Sequence, residues 1–223
     1  MMTPLCELAR KFGTDKGGEH LIAGDTCHNY TPAYHELFKD RREDVKNVLE
    51  IGVNYGCSLR MWAEYFPNAQ IVGIDSNEEC MRPYGERIRC YVADQYNERD
   101  LMAVLDIVAP VRFDLIVDDG SHVADHQIFS AQCLLPHLAK DGVYVIEDIY
   151  PDCKPELIGN PICADETFRW DAIPTGRGLG KAHCGCGCGQ GEQLVVIRWN
   201  YNSLKNYSPS GAPWQSRSGT GLR

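Results

Sequence analysis

From residue 45 onward the apolar residues fall in short runs. VLEIG (48–52), IVGID (71–75), IRCYVAD (88–94), FDLIVDD (113–119) and VYVIED (143–148) are mostly β-branched, and several end in an acid. Between them lie stretches of helical length: SLRMWAEYF (58–66), ERDLMAVLDIV (98–108) and DHQIFSAQCLLPHLA (125–139). Strands that are apolar on both faces and alternate with helices predict a parallel sheet covered on both sides. Right-handed crossovers make that sheet doubly wound. Later the rhythm breaks. ETFRWDAI (166–173) reads as a weaker strand and QLVVIRW (193–199) as a strong one, with no helical pattern between them. The expected fold is therefore α/β, a doubly wound, mostly parallel seven-stranded Rossmann-like sheet with one antiparallel strand near the C-terminus.

The flanks have a different texture. Thr3-Pro4 before LCELARKF, and Thr31-Pro32 before AYHELF, read as helix starts with Thr as cap and Pro at the first helical position. The stretch between them, GTDKGGEHLIAGDTCHNY (13–30), reads as loop. Residues 201–223 are polar and Gly/Ser-rich and read as a loose tail. This divides the chain into an N-terminal helical segment (1–44), a main domain (45–200) and the tail.

Composition narrows the function. A chain of 223 residues with 43% hydrophobic content can bury one ordinary core without disulfides or metal. A net charge of −9, with no Lys/Arg run, argues against a nucleic acid partner. No apolar run is long enough for a membrane span, and the first residues lack a signal-peptide core, so the expected location is the cytoplasm. The 11 cysteines read mainly as small buried hydrophobes in a reducing compartment. His183, Cys184, Cys186 and Cys188 form a tight cluster with two readings: a soft-metal site, or a Gly-rich loop with incidental cysteines. The second is favoured, because no further ligand pair stands at a suitable distance.

Ligands of open α/β sheets sit beyond the C-terminal ends of the strands, so the residues there carry the chemistry. The first strand ends in LEIGVNYGCS (49–58), where Gly52 and Gly56 allow a close approach of backbone to ligand. Glu50 and Ser58 flank this turn. The second strand ends at Asp75 and Ser76, and an acid at that place accepts hydrogen bonds from ribose hydroxyls. At the third tip Asp94 or Gln95 is placed to hold an adenine amine, and Asp118 stands at the fourth. Neither a phosphate-binding loop nor the G-x-G-x-x-G fingerprint is present. A nucleoside without phosphates is implied, and S-adenosylmethionine (SAM) is such a ligand.

The fourth and fifth strands are expected neighbours, and Asp119, Glu147 and Asp148 at their tips should converge. Carboxylates that close need a cation, and oxygen donors with open positions favour Mg²⁺ or a similar ion. His122 lies three residues past Asp119. A hydroxyl acceptor near such an ion ionises more readily, and His122 can take its proton. Asp119 and His122 are thus the candidate catalytic residues, and Asp119, Glu147 and Asp148 the candidate metal ligands. Two other readings are a SAM-binding module without catalysis, disfavoured by the acids and His122, and a nucleotide-dependent oxidoreductase, disfavoured by the missing fingerprint.

In this order, KFGTDKGG, HNYTPAYHELF, VLEIGVNYGCSLRMWAEYFPNAQIVGID, DLIVDDGSH and LLPHLAKDGVYVIEDI resemble the Mg²⁺-dependent class I SAM methyltransferases that act on macrolide sugars, of the mycinamicin type. The likeness spans about residues 9–150. It implies a sugar or glycosylated small molecule as hydroxyl acceptor, although a non-sugar natural product is the alternative. Homo-oligomers are also expected. The resemblance assigns the metal acids to Asp119, Glu147 and Asp148, and the base to His122. It also reads the N-terminal segment as a lid over SAM, with Thr14, Lys16 and Tyr30 as cofactor contacts. Beyond residue 150, where that family shapes its acceptor pocket, the sequence departs from the pattern.

Overall fold

A computed structural model describes residues 2–18, 28–149, 154–175 and 193–200. The cysteine cluster at 183–188 and the tail at 201–223 lie outside the described residues. Helices α1 (Pro4–Phe12) and α2 (Thr31–Phe38) precede the sheet. Strands β1 (Asn47–Ile51), β2 (Gln70–Asp75), β3 (Ile88–Val92), β4 (Phe113–Asp118) and β5 (Leu138–Ile149) alternate with α3 (Cys57–Tyr65), α4 (Glu98–Val108) and α5 (Ala124–Leu134). After them come α6 (Glu156–Ile162), β6 (Phe168–Pro174) and β7 (Gln193–Trp199). The short helix α6, which carries Pro161 inside it, is not foreseen by the hydrophobic pattern.

The sheet has seven strands in the order β3-β2-β1-β4-β5-β7-β6. The pairs β3–β2, β2–β1, β1–β4 and β4–β5 are parallel. β7 is antiparallel to both β5 and β6, so it alone runs against the rest. This is the expected architecture, including the single reversed strand. Strand order changes direction between β1 and β4, which opens the crevice where ligands bind in such sheets.

Two hydrophobic layers cover the sheet, and strand alternation decides which residue joins which. Val48, Leu115, Val143 and Val145 face α1, α2 and α3, where they pack with Leu5, Tyr34 and Trp62. Leu49, Ile116, Tyr144 and Ile146 face the other way, toward Leu101, Leu134 and Ile158 of α4, α5 and α6. The N-terminal segment is therefore part of the core.

Helix α1 begins as its sequence predicts: the Thr3 hydroxyl accepts from the Cys6 amide at 3.3 Å. It ends on left-handed Gly13, whose amide donates to Ala9. The start of α2 differs from expectation. Tyr30 is the cap, with a helical backbone and no side-chain cap bond, and the Thr31 hydroxyl turns instead to Cys6 Sγ at 3.3 Å. Burial in the core, where Thr31 is 0% exposed, overrides its capping preference.

Candidate active site

At the C-terminal ends of β1, β2, β4 and β5 the chain encloses a cavity of about 410 Å³. Among the residues singled out in the sequence, Thr14, Gly52, Ser58, Asp75, Asp119, His122 and Asp148 line it. Gly13, Asp15, Asn54, Tyr55 and Gly120 line it as well, and sequence reasoning missed them. Asn54 was detectable in principle: it occupies a left-handed turn (φ 46°) that Asn tolerates better than most residues.

Gly52 stands where β1 leaves the sheet, at φ +92°, and a Cβ there would lie 2.1 Å from the carbonyl oxygen of Asp119. Glycine is thus required where the β1 and β4 tips touch. Gly56 (φ 66°) caps α3 without lining the cavity. Asp75 shapes the turn directly. Its Oδ2 accepts from the amides of Val53 at 2.9 Å and Asn54 at 3.1 Å, and its Oδ1 from Asn77 at 2.9 Å. Burial pushes this carboxyl up, but the three amides outweigh it and hold the group below the usual Asp range.

Behind the cavity wall lies a buried charge cluster. Glu50, Asp119 and Glu147 all continue the face of β1, β4 and β5 that meets α1 and α2, and they converge there. Lys16 reaches into them from the N-terminal segment. Its Nζ lies 2.5 Å from Asp119 Oδ2, 2.5 Å from Glu147 Oε2 and 3.2 Å from Glu50 Oε1. Burial alone would lower the Lys16 pKa, but the three carboxylates together raise it well above its ordinary value, so it stays charged. One ammonium does not balance three carboxylates. Burial pushes Glu50 up to about 7 and Glu147 well above the usual range. Tyr34 donates to Glu147 Oε1 at 2.5 Å, and the Trp62 indole donates to Glu50 Oε2 at 2.9 Å.

Several residues singled out in the sequence stand away from the cavity. Lys16 and Glu50 do not line the cavity; both are buried, 3.2 Å apart. Glu147 is not in the group that Asp148 forms with Asp119 and His122; its carboxylate is engaged by Lys16 and Tyr34. Asp118 is 0% exposed on the α5 side, where Ser130 donates to it at 2.6 Å and Gln95 at 3.2 Å. Burial pushes its carboxyl up despite these bonds. Gln95 is buried too, and its Oε1 accepts from the Ser121 amide at 2.6 Å, so it braces the loop after β4. Ser76 and Asp94 are exposed and do not line the cavity.

On the cavity side, Asp119, His122 and Asp148 each offer one ligand atom, all within 4.8 Å of one another. Asp148 reaches this side through a left-handed backbone (φ 56°), and His122 is left-handed as well (φ 58°). Such conformations cost about 1–3 kcal/mol each and gather at functional sites. Tyr30 does not line the cavity. It is 1% exposed and donates to Asp148 Oδ1 at 2.5 Å. His28, unforeseen in the sequence, has Nδ1 3.2 Å from the same oxygen. His122 Nδ1 lies 3.4 Å from Asp148 Oδ2 and makes no hydrogen bond. The arrangement offers two carboxylates for a cation and an imidazole for a proton, next to a nucleoside-sized cavity.

Comparison with known proteins agrees with this geometry. Residues 49–149 match the family described as Methyltransferase domain. The chain is 34% identical over 162 residues to the 8-demethyl-8-alpha-L-rhamnosyl tetracenomycin-C 2'-O-methyltransferase of Streptomyces olivaceus, which covers 70% of this chain and 40% of that protein. It is 37% identical over 153 residues to the mycinamicin VI 2''-O-methyltransferase of Micromonospora griseorubida, covering 66% and 36%. The chain thus spans well under half the length of these curated relatives. Among solved structures, MycE methyltransferase from the mycinamycin biosynthetic pathway, in complex with Mg and SAH, superposes with a TM-score of 0.62 at 25% identity, over 90% of this chain and 55% of that one. A further MycE structure, with Mg, SAH and mycinamycin VI, gives 0.62 at 26% identity, over 89% and 54%. Residues 49–149 of this chain thus match a methyltransferase domain, and the chain resembles the mycinamicin-type O-methyltransferases in sequence and in fold.

Proposed function

We propose that this chain is a SAM-dependent O-methyltransferase that transfers a methyl group to a hydroxyl of a sugar on a glycosylated small molecule, assisted by Mg²⁺ or a similar divalent cation. The observation that carries the reading is the single cavity lined both by the glycine turn with Asp75 and by Asp119, His122 and Asp148. The names of the relatives, which are O-methyltransferases of rhamnosylated tetracenomycin and of mycinamicin VI, support the sugar as acceptor.

On this reading Asp75 binds the ribose hydroxyls with the acceptor capacity its backbone bonds leave over. Thr14 and its neighbours Gly13 and Asp15 line the same cavity and act as a lid from the N-terminal segment. Asp119 and Asp148 suit a hard cation, being oxygen donors held together with open positions beside them. Such an ion, when bound, lowers the pKa of a hydroxyl brought to it. His122, which lines the cavity, takes the hydroxyl proton. The walls hold the acceptor oxygen in line with the sulfonium methyl, so that transfer leaves a neutral thioether. Among the described residues no helix is long and apolar enough to cross a membrane; we place the reaction in the cytoplasm.

The test is methyl transfer from labelled SAM to a glycosylated acceptor, with Mg²⁺ and with EDTA. Asp119→Ala should lose metal-stimulated turnover while calorimetry still records SAM binding. Turnover that survives both EDTA and Asp119→Ala would refute the metal mechanism. NAD binding without SAM binding would refute the methyltransferase reading.

A further inference from the structure

Lys16 is the only Lys or Arg that is buried among the described residues, at 1% exposure. An ammonium has three N–H donors, and here three carboxylates surround it. The cluster is nevertheless short of positive charge, and Glu50 Oε1 is left without a hydrogen bond, 3.2 Å from Nζ. Such a ring of oxygens around one small cation would suit an ion of higher charge at least as well.

Asp119 belongs to two groups at once. Its Oδ2 holds the Lys16 ammonium, and the same side chain joins His122 and Asp148 on the cavity side. Glu147, the other carboxylate 2.5 Å from the ammonium, directly precedes Asp148. A divalent cation arriving between Asp119 and Asp148 would therefore meet a resident positive charge sharing its ligand. Two cations sharing one partly buried carboxylate repel each other.

We propose that Lys16 is a built-in stand-in for the divalent cation: the ammonium and the ion hold Asp119 in turn, and loading of the ion displaces the Lys16 side chain from the cluster. This rests on the reading that a divalent cation binds at Asp119 and Asp148. The backbone has no need to move, since the Lys16 carbonyl is fixed by the amides of Tyr30 at 2.9 Å and Thr31 at 3.2 Å. The flexible four-carbon stem suffices. Thr14 and Asp15, immediately before Lys16, line the cavity, so the displaced side chain enters the segment that meets the cofactor. Metal occupancy and cofactor affinity are thereby linked, and the linkage is reciprocal.

The experiment is reductive methylation of the full chain with labelled formaldehyde, read at Lys16 by peptide mass spectrometry, in EDTA and in saturating Mg²⁺. Calorimetry with Mg²⁺ on the wild type and on Lys16→Met accompanies it. The expected result is a Lys16 protected in EDTA and modified at least roughly tenfold faster in Mg²⁺, with Lys16→Met binding Mg²⁺ at least roughly tenfold more tightly than wild type. Should Lys16→Met not fold, the labelling of the wild type decides alone. Measurable Mg²⁺ binding with Lys16 equally protected in both conditions overturns the displacement and leaves the metal site standing. Absence of Mg²⁺ binding in both proteins overturns the site and this inference together.

Discussion

Asp75 does two things with one carboxylate. It ties the amides of Val53 and Asn54 into the turn after β1, and it faces the cavity. Because those bonds hold its folded pKa below the unfolded value, ionised Asp75 favours the folded state. That contribution is full above the unfolded pKa of about 3.9 and is lost as pH falls through the lowered folded value. Asp75→Asn should therefore be less stable than wild type at pH 6, and the gap should close on acidification below about pH 4. Urea unfolding across that range checks the sign, and a gap that widened toward acid would contradict the assignment. The same variant should bind SAM more weakly at neutral pH, which calorimetry measures separately.

Between elements, the key contacts are buried polar ones. α3 is attached to β1 by the Trp62 indole, which donates to Glu50 at 2.9 Å with both side chains at 0% exposure. Glu50 Oε1 already lacks a hydrogen bond in good geometry, so removing the indole N–H leaves this carboxylate to Lys16 and Ser58. Trp62→Phe should cost about 1–3 kcal/mol from the unsatisfied acceptor, before any packing loss. The measurement is the urea midpoint at constant m-value. A cost near zero would mean that Glu50 is protonated and indifferent to the donor. α2 has the matching role on β5, where Tyr34 donates to Glu147 and Tyr30 to Asp148. Adjacent acids on one strand are thus held by two residues of the same short segment.

For the whole molecule, ligands should appear as stability. A ligand that binds only the folded chain adds RT ln(1 + [L]/Kd), about 2.7 kcal/mol at a hundred times its Kd. Added S-adenosylhomocysteine and Mg²⁺ should each raise the melting temperature, EDTA should remove the second increment, and Asp148→Asn should lose it while keeping the first. A thermal scan with the three additions is sufficient, and an Asp148→Asn protein that still responds to Mg²⁺ would move the ion elsewhere. The strands, three of the helices between them and the reversed final strand were legible in the sequence, because each is written in local period and length. The turn glycines and the acids at strand tips were legible for the same reason. The sorting of those acids was only half legible. Strand alternation separates Asp118 from Asp119, but the left-handed backbone at Asp148 is not written in it, and which face holds the cation depends on what packs against it. That is decided by Lys16, which is 103 residues from Asp119 and 131 from Glu147 in the chain. By itself the sequence determined a methyltransferase-type sheet with its chemistry at the strand tips. The tertiary structure decided which carboxylates face the cavity and which are neutralised behind it, because charge compensation in a buried cluster depends on distances that no local pattern encodes.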